Sequence, residues 1–163
     1  MWQNWERVIL MMEIRKIDNP EGYLGLFNDE HFCLGSKRPS SLNNAQRENI
    51  LLNSYIIYLE NVEIGYIFLN KKSKYYVAIS IIVCNTEFTV IDKMDYLVRS
   101  VFQYFDEIEK CDEIYLYVEG YSSKMLEYCQ NSATLENVGC LRNNVYKSGC
   151  YYNSFVFKKK TNY

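Results

Sequence analysis

The stretch from Tyr75 to Glu119, YYVAISIIVCNTEFTVIDKMDYLVRSVFQYFDEIEKCDEIYLYVE, decides the fold. Tyr75–Cys84 is a β-branched and aromatic run that reads as a strand, buried on both faces at its end. Beyond it Met94, Leu97, Val98, Val101, Phe102, Phe105 and Ile108 recur with a period of 3.6. That spacing predicts a helix of about four turns, with Asp92 as N-cap and Asp95 in the first turn to complement the dipole. Glu113–Glu119 (EIYLYVE) alternates as a strand again. A strand, a long helix and a strand in succession form a crossover, which joins parallel neighbours in one sheet.

Working outward, Met11–Ile17 predicts a first strand, stopped by the turn residues Asp18-Asn19-Pro20. Glu21–Phe32 carries apolar side chains at helical spacing, interrupted by Gly22 and Gly25. Pro39-Ser40-Ser41 offers an N-cap to a second helix over Leu42–Asn53. Ser54–Leu59 and Glu63–Leu69 read as a hairpin across Glu60-Asn61-Val62, and Lys71–Lys74 as the next turn. After the crossover, Gly120 ends the fifth strand and Ser122 opens a short helix through Met125, Leu126 and Cys129. Val138–Val145 and Tyr151–Lys158 close the chain as two strands linked by Tyr146–Gly149. The order β-α-α-β-β-β-α-β-α-β-β gives an α/β (α+β) fold, a mixed central sheet of about seven strands with flanking helices.

Composition narrows the class. The 163 residues make a single domain, 1–163, and 48% hydrophobic with 23% charged residues is ordinary for a chain that folds. A net charge of −2 argues against nucleic acid as the partner. The longest early apolar run, Val8–Met12, is far too short to span or enter a membrane, so the protein is expected to be soluble and cytoplasmic. Six cysteines without a C-x-x-C pair support neither zinc nor a redox motif, and read as reduced, mostly core residues. The 16 tyrosines suggest a core and pocket lined by rings with polar handles.

The segment Gly139–Asn153, GCLRNNVYKSGCYYN, with Glu13-Ile14-Arg15, Phe27-Asn28-Asp29-Glu30, Glu63-Ile64-Gly65-Tyr66 and Tyr128, resembles the GCN5-related N-acetyltransferase (GNAT) superfamily. Within it the chain is most similar to the ribosomal-protein-alanine acetyltransferase branch, over about Met11–Lys158. The resemblance implies acetyl-CoA, or another acyl-CoA, bound where the fourth and fifth strands splay. Ile81, Ile82 and Val83 would pair with pantetheine, while Asn85, Thr86, Thr89, Val90 and Ile91 would hold the pyrophosphate. It implies Tyr128 as the acid that reprotonates the thiolate, with Glu63 as fallback base, because Ala78 stands where a carboxylate is often found and Tyr121 where an Asn is usual. The acceptor would be the amine of a small molecule or peptide.

The family's pyrophosphate loop is glycine-rich, since glycines let amides at a helix N-terminus approach phosphate closely. Here Asn85–Asp92 (NTEFTVID) has no glycine and two carboxylates, Glu87 and Asp92. Two readings therefore stand side by side: a GNAT-like N-acyltransferase, and a degenerate GNAT-fold binding or regulatory module with a ligand or protein partner in the cleft. Other chemistries are poorly supplied. No nucleotide-binding glycine motif occurs, His31 is the sole histidine, and Asp29, Glu30, His31 and Cys33 are too close in sequence to converge on a metal ion.

Overall fold

The structure, a computed structural model, describes residues 11–28, 42–85, 87 and 91–161. Strands β1 (Met12–Lys16), β2 (Ser54–Leu59), β3 (Val62–Lys72), β4 (Tyr76–Val83), β5 (Glu113–Glu119), β6 (Leu135–Lys147) and β7 (Cys150–Lys159) form one sheet. Its order is β1-β2-β3-β4-β5-β7-β6. Only the β4–β5 pair is parallel, as the crossover requires. The helices are α1 (Asn44–Leu52), α2 (Ile91–Glu107) and α3 (Ser123–Asn131). The expected first helix is a 3-10 helix, Pro20–Asn28, over the segment that carries Gly22 and Gly25.

Several boundaries differ from the sequence reading. The N-cap of α1 is Asn43 rather than the Ser40-Ser41 region: its Oδ1 accepts from Gln46 N at 2.9 Å, and Gln46 Oε1 accepts from Asn43 N at 3.0 Å. Helix α2 begins at Ile91, which puts Asp92 inside the first turn. The β2–β3 loop is only Glu60 and Asn61, both with positive φ, as a tight two-residue hairpin turn demands. Strand β3 runs on through Lys72 because a bulge between Leu69 and Lys71 restores pairing to Ala78 and Val77. Strand β6 starts at Leu135, opposite Lys159.

Two apolar layers cover the sheet. On one face Ile57, Ile67, Ile79, Leu116 and Val118 pack against Leu97, Val101 and Phe105 of α2 and Met125 and Cys129 of α3. Each fully buried large side chain there contributes roughly 1.5–3 kcal/mol of transfer free energy. On the other face Ile56, Tyr66 and Phe68 meet Phe27 and Leu51. Of the described cysteines, Cys111 and Cys129 are buried but Cys84, Cys140 and Cys150 are exposed, so the expected core role holds for two of five. No helix among the described residues is long and apolar enough to cross a membrane.

Candidate functional site at the parting of β4 and β5

Parallel pairing between β4 and β5 lasts from Tyr76↔Glu113 to Ile79↔Leu116 and then stops. Beyond it β4 stays paired to β3 as far as Val83↔Gly65, while β5 turns to β7 as far as Glu119↔Ser154. The two strands part, and Ser80–Val83 faces the opening without a strand partner on that side. A cleft fills the gap, lined by Phe68, Ser80, Ile81 and Ile82 on one wall and by Tyr117, Glu119, Tyr121 and Met125 on the other.

Glu119 is the one carboxylate in that lining. Strand alternation puts it with Tyr115 and Tyr117 on the sheet face opposite α2 and α3, because Leu116 and Val118 belong to the layer those helices cover. Burial raises its pKa above the usual carboxylate range, and the Ser154 hydroxyl, which donates to it, only partly offsets the shift. Ser154 is fully buried and accepts in turn from Asn144 Nδ2 at 2.8 Å. An irregularity between Leu141 and Val145 in β6 brings Asn144 within reach. Nothing in the local sequence around Glu119 signals this network. Its members lie 10 to 35 residues apart and meet only because β7 inserts between β5 and β6.

The sequence-derived candidates fall in different places. Ile81 and Ile82 line the cleft and Val83 follows on the same strand. Asn85 comes next, its Oδ1 accepting from Glu87 N at 3.0 Å. Thr86, Thr89 and Val90 lie outside the described residues, and Ile91 opens α2. Asp29, Glu30, His31 and Cys33 also lie outside them. Glu63 is the second residue of β3 and accepts from the Tyr66 hydroxyl, away from the cleft lining. Tyr128 is buried on α3, and its hydroxyl donates to Asp95 Oδ1 at 2.8 Å, while Arg99 holds the other oxygen at 2.7 Å. Burial and the Asp95 carboxylate both push the Tyr128 pKa up, so the hydroxyl keeps its proton. Tyr128 thus ties α3 to the first turns of α2, beside the cleft rather than in its lining.

No protein-family model and no curated protein matches this sequence. Solved structures do match. A GNAT-family acetyltransferase from Bacillus anthracis superposes with a TM-score of 0.59 at 12% identity, over 90% of this chain and 93% of that one. The chain has the GNAT fold. A ribosomal-protein alpha-N-acetyltransferase, RimL, solved in complex with coenzyme A, gives a TM-score of 0.65 at 13% identity, covering 91% of this chain and 93% of that one. A spermidine N-acetyltransferase chimera, SpeG from Vibrio cholerae with hSSAT, gives 0.66 at 15%, covering 91% and 94%. The seven-strand mixed sheet expected from the sequence is the sheet of this fold.

Proposed function

We propose that this protein, acting as one domain in the cytoplasm, transfers an acyl group from acyl-CoA to the amine of a small molecule or peptide. The observation that carries the proposal is the parted β4–β5 pair with a half-buried carboxylate, Glu119, on one wall of the gap. Backbone groups of Ile81–Val83 that no strand satisfies suit an extended, amide-bearing ligand arm, which pairs as a strand would. Asn85 and Ile91, at the two ends of the loop into α2, are the proposed neighbours of the pyrophosphate, together with Thr86, Thr89 and Val90. The hairpin of β6 and β7, which carries Gly139–Asn153, supports a place near the ribosomal-protein-alanine acetyltransferases.

Bound acyl-CoA supplies an activated thioester carbon. Glu119 takes the proton that an ammonium must lose before its nitrogen can attack, and its raised pKa makes it a better base than Glu63, whose carboxylate is engaged with Tyr66. As the new C–N bond forms and the C–S bond breaks, the sulfur leaves as thiolate and needs a proton. Tyr128 is the proposed donor, on the opposite face of the sheet from Glu119. Donation requires its hydroxyl to leave Asp95 Oδ1, so Asp95 sets how readily the proton is available.

The test is direct: the protein is incubated with acetyl-CoA and a panel of amines, and both free CoA and acylated amine are quantified by chromatography and mass spectrometry. Stoichiometric formation of the two, reduced about 10²-fold by Glu119→Gln, is the expected result. No product from any amine, with no heat of acetyl-CoA binding in calorimetry, would overturn the proposal in favour of a module that binds another ligand in the cleft.

A further inference from the structure

Glu119 ends β5 directly opposite Ser154 of β7, so the two side chains stand side by side on one face of the sheet. The Ser154 hydroxyl donates to Glu119 Oε2. Oε1 has no hydrogen-bond partner among the described residues, which leaves it as the atom open to a proton from the cleft. A serine hydroxyl has one hydrogen to give, and Asn144 Nδ2, 2.8 Å from Ser154 Oγ, can only donate. With the amide in place, that hydrogen goes to the carboxylate. Ser154 is wholly shielded from solvent, so bulk water cannot replace it as donor.

Asn144 reaches Ser154 through an irregular stretch of β6. Leu141 pairs with Ser154 and Val145 with Tyr152, so Arg142, Asn143 and Asn144 stand opposite Asn153 alone. Asn143 has a φ of 49°, a left-handed conformation that asparagine adopts more readily than most residues. Asn153 pins both sides of the stretch. Its Oδ1 accepts from Asn143 N at 3.0 Å, and its carbonyl oxygen accepts at 2.8 Å from the N–H of Gly120, the residue after Glu119. A buried hydroxyl, a donor amide and a bent strand thus act together on one oxygen of one carboxylate.

We propose that Ser154 and Asn144 are positioning residues for proton transfer, fixing Glu119 through Oε2 so that Oε1 is the atom that takes the proton. This rests on the acyltransferase reading and adds to it two residues that act through Glu119 alone. Fixing one oxygen removes rotamer freedom from the side chain before any acceptor arrives. A hydrogen bond to the ionised form also counters burial, which otherwise keeps the carboxyl protonated to higher pH. Among the described residues no charged side chain lines the cleft from β3 or β4. From β5 and the turn after it come the phenols of Tyr117 and Tyr121, and from β6 come Arg142 and, 4.1 Å from the Tyr121 ring centroid, Lys147. The variants below leave all four in place.

Ser154→Ala removes the donor and Asn144→Ala the amide behind it. Asn137→Ala, which deletes a hydrogen bond to Gly139 N elsewhere in β6, is the control. Acetyl transfer is followed against pH for each, and the Glu119 carboxyl is titrated by NMR without acetyl-CoA, with Glu119→Gln identifying its signal. Ser154→Ala is expected to move the acid limb of kcat, and the carboxyl titration with it, to higher pH by about one unit. It also lowers kcat on the plateau about 10-fold while KM for the amine is unchanged. Asn144→Ala shifts both in the same direction by roughly half a unit, and Asn137→Ala shifts neither. Should Ser154→Ala fail to fold by circular dichroism, Asn144→Ala, at a half-buried position, decides in its place. Limbs and titrations that coincide with the wild type, or an equal shift in Asn137→Ala, overturn the proposal. Absent turnover in the wild type with a shifted titration refutes the acyl-transfer reading alone. An unshifted titration refutes the role of Ser154 and Asn144 whatever the turnover.

Discussion

Gly65 offers a quantitative check on how closely β3 and β4 approach beside the cleft. An alanine Cβ built there lies 2.3 Å from the Ile82 carbonyl oxygen and 3.3 Å from both the Ile82 carbonyl carbon and Val83 Cα. Ordinary contact begins near 3.4 Å, so the strands must separate by about 1.1 Å, the difference between 3.4 and 2.3. The obstacle is hydrogen-bonded backbone paired from Gly65↔Val83 to Ile67↔Ile81, which has no rotamer to change. Overpacking of this kind costs about 1–3 kcal/mol, and about 2 kcal/mol in a chain of this size lowers the melting temperature by roughly 4–8 °C. Gly65→Ala also shifts Ile82, a cleft residue, so acetyl-CoA affinity falls together with stability. The control is Gly139→Ala, whose Cβ would meet only Val156 side-chain atoms at 4.0 Å and whose effect stays within about 0.5 kcal/mol. Chemical denaturation with calorimetric titration of acetyl-CoA measures both quantities. Unfolding of Gly65→Ala at the wild-type denaturant midpoint would refute the reasoning.

Further expectations concern the site and one cap. Because burial raises the folded-state pKa of Glu119, stability on its account is highest below the unfolded carboxylate pKa and declines as pH rises through the folded value. Glu119→Gln, while slowing turnover, therefore unfolds at the same or a higher denaturant concentration than wild type at pH 7, and lower stability there would contradict the assignment. The rate of acyl transfer should climb as pH rises through the same raised pKa, a rise that Glu119→Gln removes from the pH profile. Tyr128→Phe strips Asp95 Oδ1 of its donor and costs about 1 kcal/mol in denaturation, with turnover about 10²-fold lower if the hydroxyl serves the departing sulfur; unchanged turnover in a folded variant rejects the donor role. With no glycine in Asn85–Asp92, acetyl-CoA is expected to bind with a Kd weaker than about 1 μM, and tighter binding by calorimetry would show that other groups replace the missing amide cradle. Asn43→Ala removes the α1 capping box and should cost about 1 kcal/mol in the same denaturation assay.

What could be read in advance was what depends on short-range periodicity. The 3.6 spacing of Met94 to Phe105 specified α2, and alternation in Glu113–Glu119 specified β5, because each side chain there faces one continuous apolar layer. The parallel crossover followed from those two elements alone. Features set by pairing between distant strands were not visible. Local sequence gave no sign of the Asn70 bulge, so Lys71 read as turn rather than strand. Glu119 read only as the end of a strand, since its burial and its Ser154 contact come from β7, and Asp95 read as a dipole partner for α2 rather than as the acceptor for Tyr128. The N-cap was misplaced for a simpler reason: serines and asparagines occur within a few residues of each other, and Gln46, three residues after Asn43, decides between them.

The short run of parallel pairs between β4 and β5 makes the sheet two stiff plates joined along a narrow seam. On one side β1 to β4 are hydrogen-bonded in succession, and on the other β5, β7 and β6, with α2 splinted across the join through its contacts to β1 and β5. Anything wedged into the open end works as a lever on that seam. Val77, Ile79 and Leu116, wholly buried at the closed end, set the resistance it meets. Trimming one of them, far from every polar group of the cleft, should change how wide the gap opens without touching the chemistry inside it.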